Sequence, residues 1–137
     1  MLGPLNLAIV LGGSLGALVL GALHPASLAV EQLPWLLLYA GLFQPLVEES
    51  LFRGWLQGRL LERPELANAR LGISGANLIT SAAFVLLHLL YQPRLESALV
   101  VFPSLVYGHG RERYGGIALP VLQHACHNMA LFVGFSL

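Results

Sequence analysis

The chain is laid out as long apolar runs separated by short polar connections. Crossing a ~30 Å hydrocarbon core takes about 20 apolar residues in a helix. Runs of that order occupy residues 5–23, 33–57, 76–90 (with a start as early as 71) and 117–137, and a shorter one, 95–107, contains Pro103. The pattern predicts an all-α, polytopic transmembrane bundle of about five helices, forming a single domain over residues 1–137. The connections fall at 24–32, 58–75, 91–94 and 108–116. No soluble domain, low-complexity tail or internal repeat is visible, which argues against the repeat-built transporters. No Lys or Arg precedes the first run and no A-x-A site follows it, so it is read as a retained spanning helix and not a signal peptide.

Composition sharpens this. Of 137 residues, 56% are hydrophobic and 10% charged, against roughly 25% charged in an average soluble domain, and the mean hydropathy is +0.72. Seven arginines and seven glutamates cancel, which leaves no basic stripe to hold a nucleic acid. The arginines segregate: Arg59, Arg63 and Arg70 lie in the second connection and Arg111 and Arg113 in the fourth, while the first has none and the third only Arg94. With five helices the two Arg-rich connections share a side, which the positive-inside rule makes cytoplasmic. The N-terminus is then inside and the C-terminus outside.

Within the second run, the stretch Pro45-Leu-Val-Glu-Glu-Ser-Leu-Phe-Arg places Glu48, Glu49 and Arg53 where charge is expensive. At roughly 2.5–3.5 kcal/mol each near a helix centre, three charges cost about 8–10 kcal/mol, and the surrounding Leu, Phe and Val return only about 3–7. Glu49 and Arg53, at i and i+4, share a face and neutralise each other. Glu48 has no partner in its own helix, and an intramembrane carboxylate so placed is by default a functional candidate, with polar groups on other helices as its partners. The third run supplies His88, and the fifth His124 and Asn128 on one face, with His127 at its edge. Counting 1.5 Å per residue from the cytoplasmic connections puts Glu48 at about 15 Å depth, His88 at about 20 Å, and His124 and Asn128 at about 12 and 18 Å. Pro45 and Pro120, three and four residues before Glu48 and His124, each release an i−4 carbonyl and kink their helices; the sharper reading has the kink open a wet cavity beside the site, the plainer one is that proline is common in membrane helices.

These residues resemble a known family. Glu48-Glu-Ser-Leu-Phe-Arg53 fits E-E-x-x-x-R, Phe84-Val-Leu-Leu-His88 fits F-x-x-x-H, and His124-Ala-Cys-His-Asn128 fits H-x-x-x-N. Order and helical setting are similar to those of the CAAX protease and bacteriocin-processing (Abi) family of intramembrane endopeptidases, over about residues 33–137. The resemblance implies that Glu48 is the catalytic glutamate, which with His88 holds and deprotonates water. It implies that His124 and Asn128 stabilise the oxyanion, and that Glu49 and Arg53 support the site. The short chain, with His127 as an extra histidine in the third motif, looks like a bacterial member of the cytoplasmic membrane, acting without a cofactor on a membrane-associated or C-terminally tagged peptide or protein.

From the residues alone, peptide hydrolysis needs a base for water, a cradle for the oxyanion and an acid for the leaving amine. Glu48 can serve as base and then, protonated, as acid. His88 can orient water or donate a proton, and Asn128 has an always-available amide donor. A zinc enzyme is the alternative, with Glu48, His88 and His124 as a His₂Glu set, although H-E-x-x-H is absent and Asn128 has little part as a ligand. Two other readings are an interhelical hydrogen-bond network, at about 0.6 kcal/mol per bond a small return on a charge, and a proton relay. A relay needs polar residues along a whole path, whereas these cluster at one depth and runs one and four offer only Asn6, Ser14, Glu96, Ser97 and Ser104.

The remaining features read plainly. His24 and His109 are expected at helix ends or in loops, and Trp35, Tyr39, Trp55, Tyr91, Tyr107 and Tyr114 in interfacial belts. Cys126 is a small packing residue. Gly12, Gly13, Gly16 and Ala17 form a small-residue face suited to pairing with another copy or with the chain's own bundle.

Overall fold

The structure, a computed structural model, describes residues 4–23, 30–70 and 72–136. The reading of His24 lies outside them. Among the described residues the chain is all-α apart from one small hairpin. Helix α1 spans Pro4–Leu23. A 3₁₀ turn, Val30–Gln32, leads into a continuous helical run over 33–61, called α2. A short α3, Pro64–Ala67, precedes strands β1, Ala69–Arg70, and β2, Ile73–Ser74. Helix α4 spans Gly75–Tyr91; a 3₁₀ turn, Leu95–Val100, feeds α5, Val101–Tyr114; and α6 spans Ala118–Phe135.

Most boundaries agree with the apolar runs, and the differences have local causes. Helix α4 starts at Gly75 and not near residue 71, because the Ser74 hydroxyl accepts the Asn77 backbone N–H at 3.0 Å and so caps the helix. The segment before it is occupied by antiparallel β1 and β2, paired Ala69 with Ser74 and Arg70 with Ile73. Gly72, at φ 79°, supplies the left-handed residue of their turn. Helix α5 runs to Tyr114, well past 107, and stops at Gly115, whose φ of 72° and N–H bond to the Arg111 carbonyl (3.0 Å) make a left-handed cap. Pro103 does not interrupt α5, nor does Pro120 kink α6: each is the third residue of its helix, where no N–H is needed.

Helix α2 departs most from expectation. It alternates between α-helical stretches (Leu33–Leu38, Gln44–Glu49, Gln57–Leu61) and wider π turns at Tyr39–Phe43 and Ser50–Leu56. The Gln44 N–H bonds Tyr39 and the Gln57 N–H bonds Phe52, five residues back in each case. Pro45 therefore sits where the helix changes register.

The chain divides into two compact units, residues 1–47 with 122–137, and residues 48–121. In the first, α6 packs on α1 at glycines. A β-carbon on Gly21 or on Gly134 would run into the other helix's backbone, and one on Gly13 into the His127 ring. Gly12 and Gly16, by contrast, face open space. Gly41 of α2 lies against Met129, and the Asn128 amide donates to the Ala40 carbonyl at 2.9 Å.

The second unit is built around polar side chains. Three helix faces meet: Glu49, Arg53 and Gln57 of α2; Asn77, Ser81 and Phe84 of α4; Ser104, Gly108 and Glu112 of α5. Ser104 donates to Ser81 (2.9 Å), Ser81 to the Asn77 side-chain Oδ1 (3.1 Å), and the Asn77 side-chain amide to the Leu105 backbone carbonyl (3.0 Å). Glu112 accepts from Gln57 at 2.8 Å and from Ser74 at 2.6 Å, and Gln57 also donates to the Gly108 carbonyl at 3.1 Å. Polar groups therefore extend along the unit and are not confined to one depth. His109 donates to the Gly72 carbonyl at 2.8 Å and ties the hairpin to α5, a placement the loop reading of His109 misses.

Among the described helices, Asn6–Leu23 alone is long and apolar enough to cross a membrane by itself, while Gly75–Tyr91 is apolar but shorter. The other runs lose that property to the residues just described: α2 to its charges and changes of register, α5 to Arg111, Glu112 and Arg113, α6 to Gln123, His124, His127 and Asn128. Buried polar side chains outnumber buried apolar ones among the described residues, and large apolar side chains such as Leu11, Leu15, Leu46, Leu51, Leu86 and Phe102 are exposed.

Asn77 packs directly on the Cα of Gly108, so a β-carbon there would displace its carboxamide. Gly108→Ala is expected to lower the unfolding free energy by about 1–3 kcal/mol, as overpacking does. Gly116→Ala, with open space around it, should change it by less than about 0.5 kcal/mol; thermal unfolding of the two variants in one detergent checks the contrast.

Candidate active site

Glu49 and Arg53 form the predicted pair. Arg53 Nη1 lies 3.2 Å from Glu49 Oε1, and neither side chain has any exposed surface. Burying two charges is unfavourable unless their remaining polar atoms are met; two further helices contact the Arg53 guanidinium, although its Nε has no hydrogen bond among the described residues. Its Nη2 donates to both the carbonyl (2.9 Å) and the hydroxyl (2.6 Å) of Ser104 on α5. Its guanidinium lies over the Phe84 ring of α4 at 4.7 Å and the Tyr107 ring of α5 at 5.5 Å, cation–π contacts that strengthen away from water. Tyr107 is thus a buried wall of the site and not an interfacial residue, and Ser104, passed over in the sequence as an isolated hydroxyl, anchors the arginine.

Phe84 links this pair to His88. Its ring meets Phe52 edge-on at 5.1 Å between centroids and tilts against the His88 ring at 4.4 Å. His88 Nδ1 lies 2.9 Å from the Phe84 carbonyl. A carbonyl only accepts, so Nδ1 carries the proton, and in neutral His88 the other nitrogen, Nε2, presents a lone pair. His88 is therefore an acceptor for water at Nε2 and becomes a donor there only when protonated. Glu48, half-buried, is the last but one residue of the α-helical stretch before the second π turn, and its charge reaches the Arg53 guanidinium.

His124 and Asn128 belong to the first unit, with Glu48, Glu49, Arg53 and His88 in the second. His124 is buried and acts electrostatically on half-buried His127, which also bonds to the Ile9 backbone. Asn128 has one amide proton committed to Ala40, which leaves its second for another acceptor. Within either unit, among the described residues, no three His, Cys, Asp or Glu side chains gather as a metal-holding group. Cys126 is a free, half-buried thiol.

The described residues thus hold a buried Glu–Arg pair, a half-buried glutamate beside it and a histidine oriented by its own helix. The family described as type II CAAX prenyl endopeptidase Rce1-like matches residues 30–130, and the chain belongs to it. It is accordingly a peptide hydrolase of the CAAX-protease type. No curated protein and no solved structure matches the chain.

The pair carries a stability prediction. Arg53→Met leaves Glu49 buried without its counterion and should cost about 3–5 kcal/mol, whereas replacing both charges, Glu49→Leu with Arg53→Met, should recover much of that loss. Denaturant unfolding of the single and double variants measures the difference; a double variant less stable than the single would contradict the account.

Proposed function

We propose that the protein is an intramembrane endopeptidase in which Glu48 activates water. The observation that carries this is the unequal treatment of two adjacent glutamates. Glu49 has no exposed surface and is committed to Arg53, while Glu48, at the edge of the same charge cluster, is half-buried, with its Oε2 turned inward. In the proposed reaction Glu48 takes a proton from a water that also bonds His88 Nε2, and the hydroxide adds to the peptide carbonyl. His124 and the second amide proton of Asn128 have the oxyanion role that the family resemblance implies. The Glu48 carboxylic acid then returns its proton to the departing amine as the C–N bond breaks, giving a new carboxylic acid and a new amine, which become carboxylate and ammonium once the acid's remaining proton passes to the amine. Glu49 and Arg53 hold Glu48 in place and keep its own charge tolerable.

The apolar exterior and polar interior support a membrane setting, and the arginine distribution supports a cytoplasmic N-terminus in a bacterial cytoplasmic membrane. A membrane-associated or C-terminally tagged peptide or protein is the substrate class. The zinc alternative through Glu48, His88 and His124 is decided by chelation. The row Arg53, Ser104, Ser81, Asn77 does not favour a proton relay, because a guanidinium and a carboxamide interrupt it; its role is scaffolding.

Purified protein in detergent is expected to cleave a farnesylated CAAX peptide or an unprenylated membrane peptide. Glu48→Gln should lose about 10²–10⁴-fold in kcat, the range general acid–base groups contribute, and a chelator should leave the wild type unaffected. Inhibition by chelator with recovery on adding zinc would move the assignment to the metalloprotease; full activity in Glu48→Gln would end the proposal.

A further inference from the structure

Each π turn in α2 leaves one backbone carbonyl without its usual donor. At the second turn, the Gln57 N–H bonds Phe52, five back, and α-helix resumes at Gln57. In α register the next N–H, that of Gly58, reaches Gly54, four back, so the Arg53 carbonyl is skipped. Arg111 of α5 fills that gap: its Nε donates to the Arg53 carbonyl at 3.1 Å, and its guanidinium lies along Gly58, where a β-carbon would sit 3.7 Å from Nη2. The same thing happens at the first turn. The Gln44 N–H bonds Tyr39, the following residue is Pro45 with no N–H, and the skipped carbonyl, that of Ala40, accepts the Asn128 amide at 2.9 Å. Two changes of register, one on each side of Glu48 in the sequence, each have a side chain from another helix in place of the missing backbone donor.

We infer that Arg111 is a positioning residue for the reaction, acting through the backbone of Arg53. By holding the skipped carbonyl it fixes where the π turn sits, and hence which way Glu48, Glu49 and Arg53 face. Were the turn to relax to uniform α-helix, every side chain on one side of it would rotate by about 100° relative to the other. Arg111 is thereby distinguished from an arginine whose value is its charge on the cytoplasmic side. The inference rests on Glu48 being the working carboxylate.

The test uses an accident of side-chain chemistry. The amide nitrogen of glutamine is bonded to Cδ, as Arg Nε is, so Arg111→Gln keeps a donor in that place without the charge; Arg111→Met keeps the length without a donor; Arg111→Lys keeps the charge and moves the donor one atom outward. Steady-state cleavage of a farnesylated CAAX peptide and thermal unfolding are measured for all three. Arg111→Gln is expected to retain kcat within about twofold, and Arg111→Met to lose about tenfold or more in kcat with KM unchanged, as small misplacements of catalytic groups do. The melting temperature should fall by several degrees in Arg111→Met and little in Arg111→Gln. Equal losses in Gln and Met, or full activity in Lys with loss in Gln, would overturn the inference in favour of a charge role. If Arg111→Met does not fold, amide hydrogen exchange of Gln57 and Gly58 replaces it: protection as in the wild type supports the cap in Arg111→Gln, and its loss overturns it. A wild type that cleaves no peptide would defeat the functional reading, while the melting temperatures would still decide the cap.

Discussion

The structure of the second unit depends on the buried contact between Glu49 and Arg53. Buried alone, either charge would cost several kcal/mol. Paired at 3.2 Å with no exposed surface, they still require further contacts: Ser104 of α5 takes up Nη2, and the rings of Tyr107 from α5 and Phe84 from α4 lie against the guanidinium, while Nε stays buried without a hydrogen bond among the described residues. The demand propagates: Ser104, having accepted from Arg53, donates to Ser81, which donates to Asn77. Each hydroxyl accepts once and donates once, so the direction of donation along the row follows from the arginine, which can only donate. The helix packing of this unit is in that sense the solvation shell of one cation.

The same constraint accounts for the backbone irregularity. A regular helix of this length presents its faces at a fixed 100° per residue, and the wider turn at Ser50–Leu56 changes the face on which residues after it appear. Glu49 and Arg53 turn toward α5 while Gln57, one turn later, still reaches Gly108 and Glu112. The cost is a skipped carbonyl, and the chain meets it with Arg111. Gly108 is the matching concession on α5, because only a residue without a side chain lets Asn77 lie across the helix axis.

Much of this was legible in the sequence. Apolar run length located the five longer helices, since burying or lipid-exposing a continuous apolar segment leaves few other solutions, and the i, i+4 spacing of Glu49 and Arg53 identified their pairing. The π turns left no such trace: they have no compositional signature, being a backbone response to contacts that form only in three dimensions. The polar face of α5 was hidden for a related reason. Ser104, Gly108 and Glu112 repeat every four residues, but ending the helix at 107 cuts that pattern before it becomes visible, and the continuation is set by the cap at Gly115, well beyond Tyr107. Tyr107 was misassigned because an aromatic ring near a helix end suits an interface as well as a cation, and only the position of Arg53 separates the two.

A consequence for assembly follows from the way the charges are met. The partners of Arg53 come from segments about 30 and 50 residues further along the chain, so during synthesis α2 precedes every group that makes it tolerable. Until α4 and α5 have been made, Arg53 lacks the contacts with Ser104, Tyr107 and Phe84 that it has in the folded protein. In the folded protein Ser104 and Phe84 hold Arg53 where it meets Glu49, which has no exposed surface, while Glu48 is half-buried. A water-activating carboxylate in a membrane would be hazardous in an incompletely folded protein. In the proposed reaction, the packing of α4 and α5 around Arg53 is what separates the roles of the two glutamates, so the polar interior that burdens folding would also tie catalytic competence to the folded state.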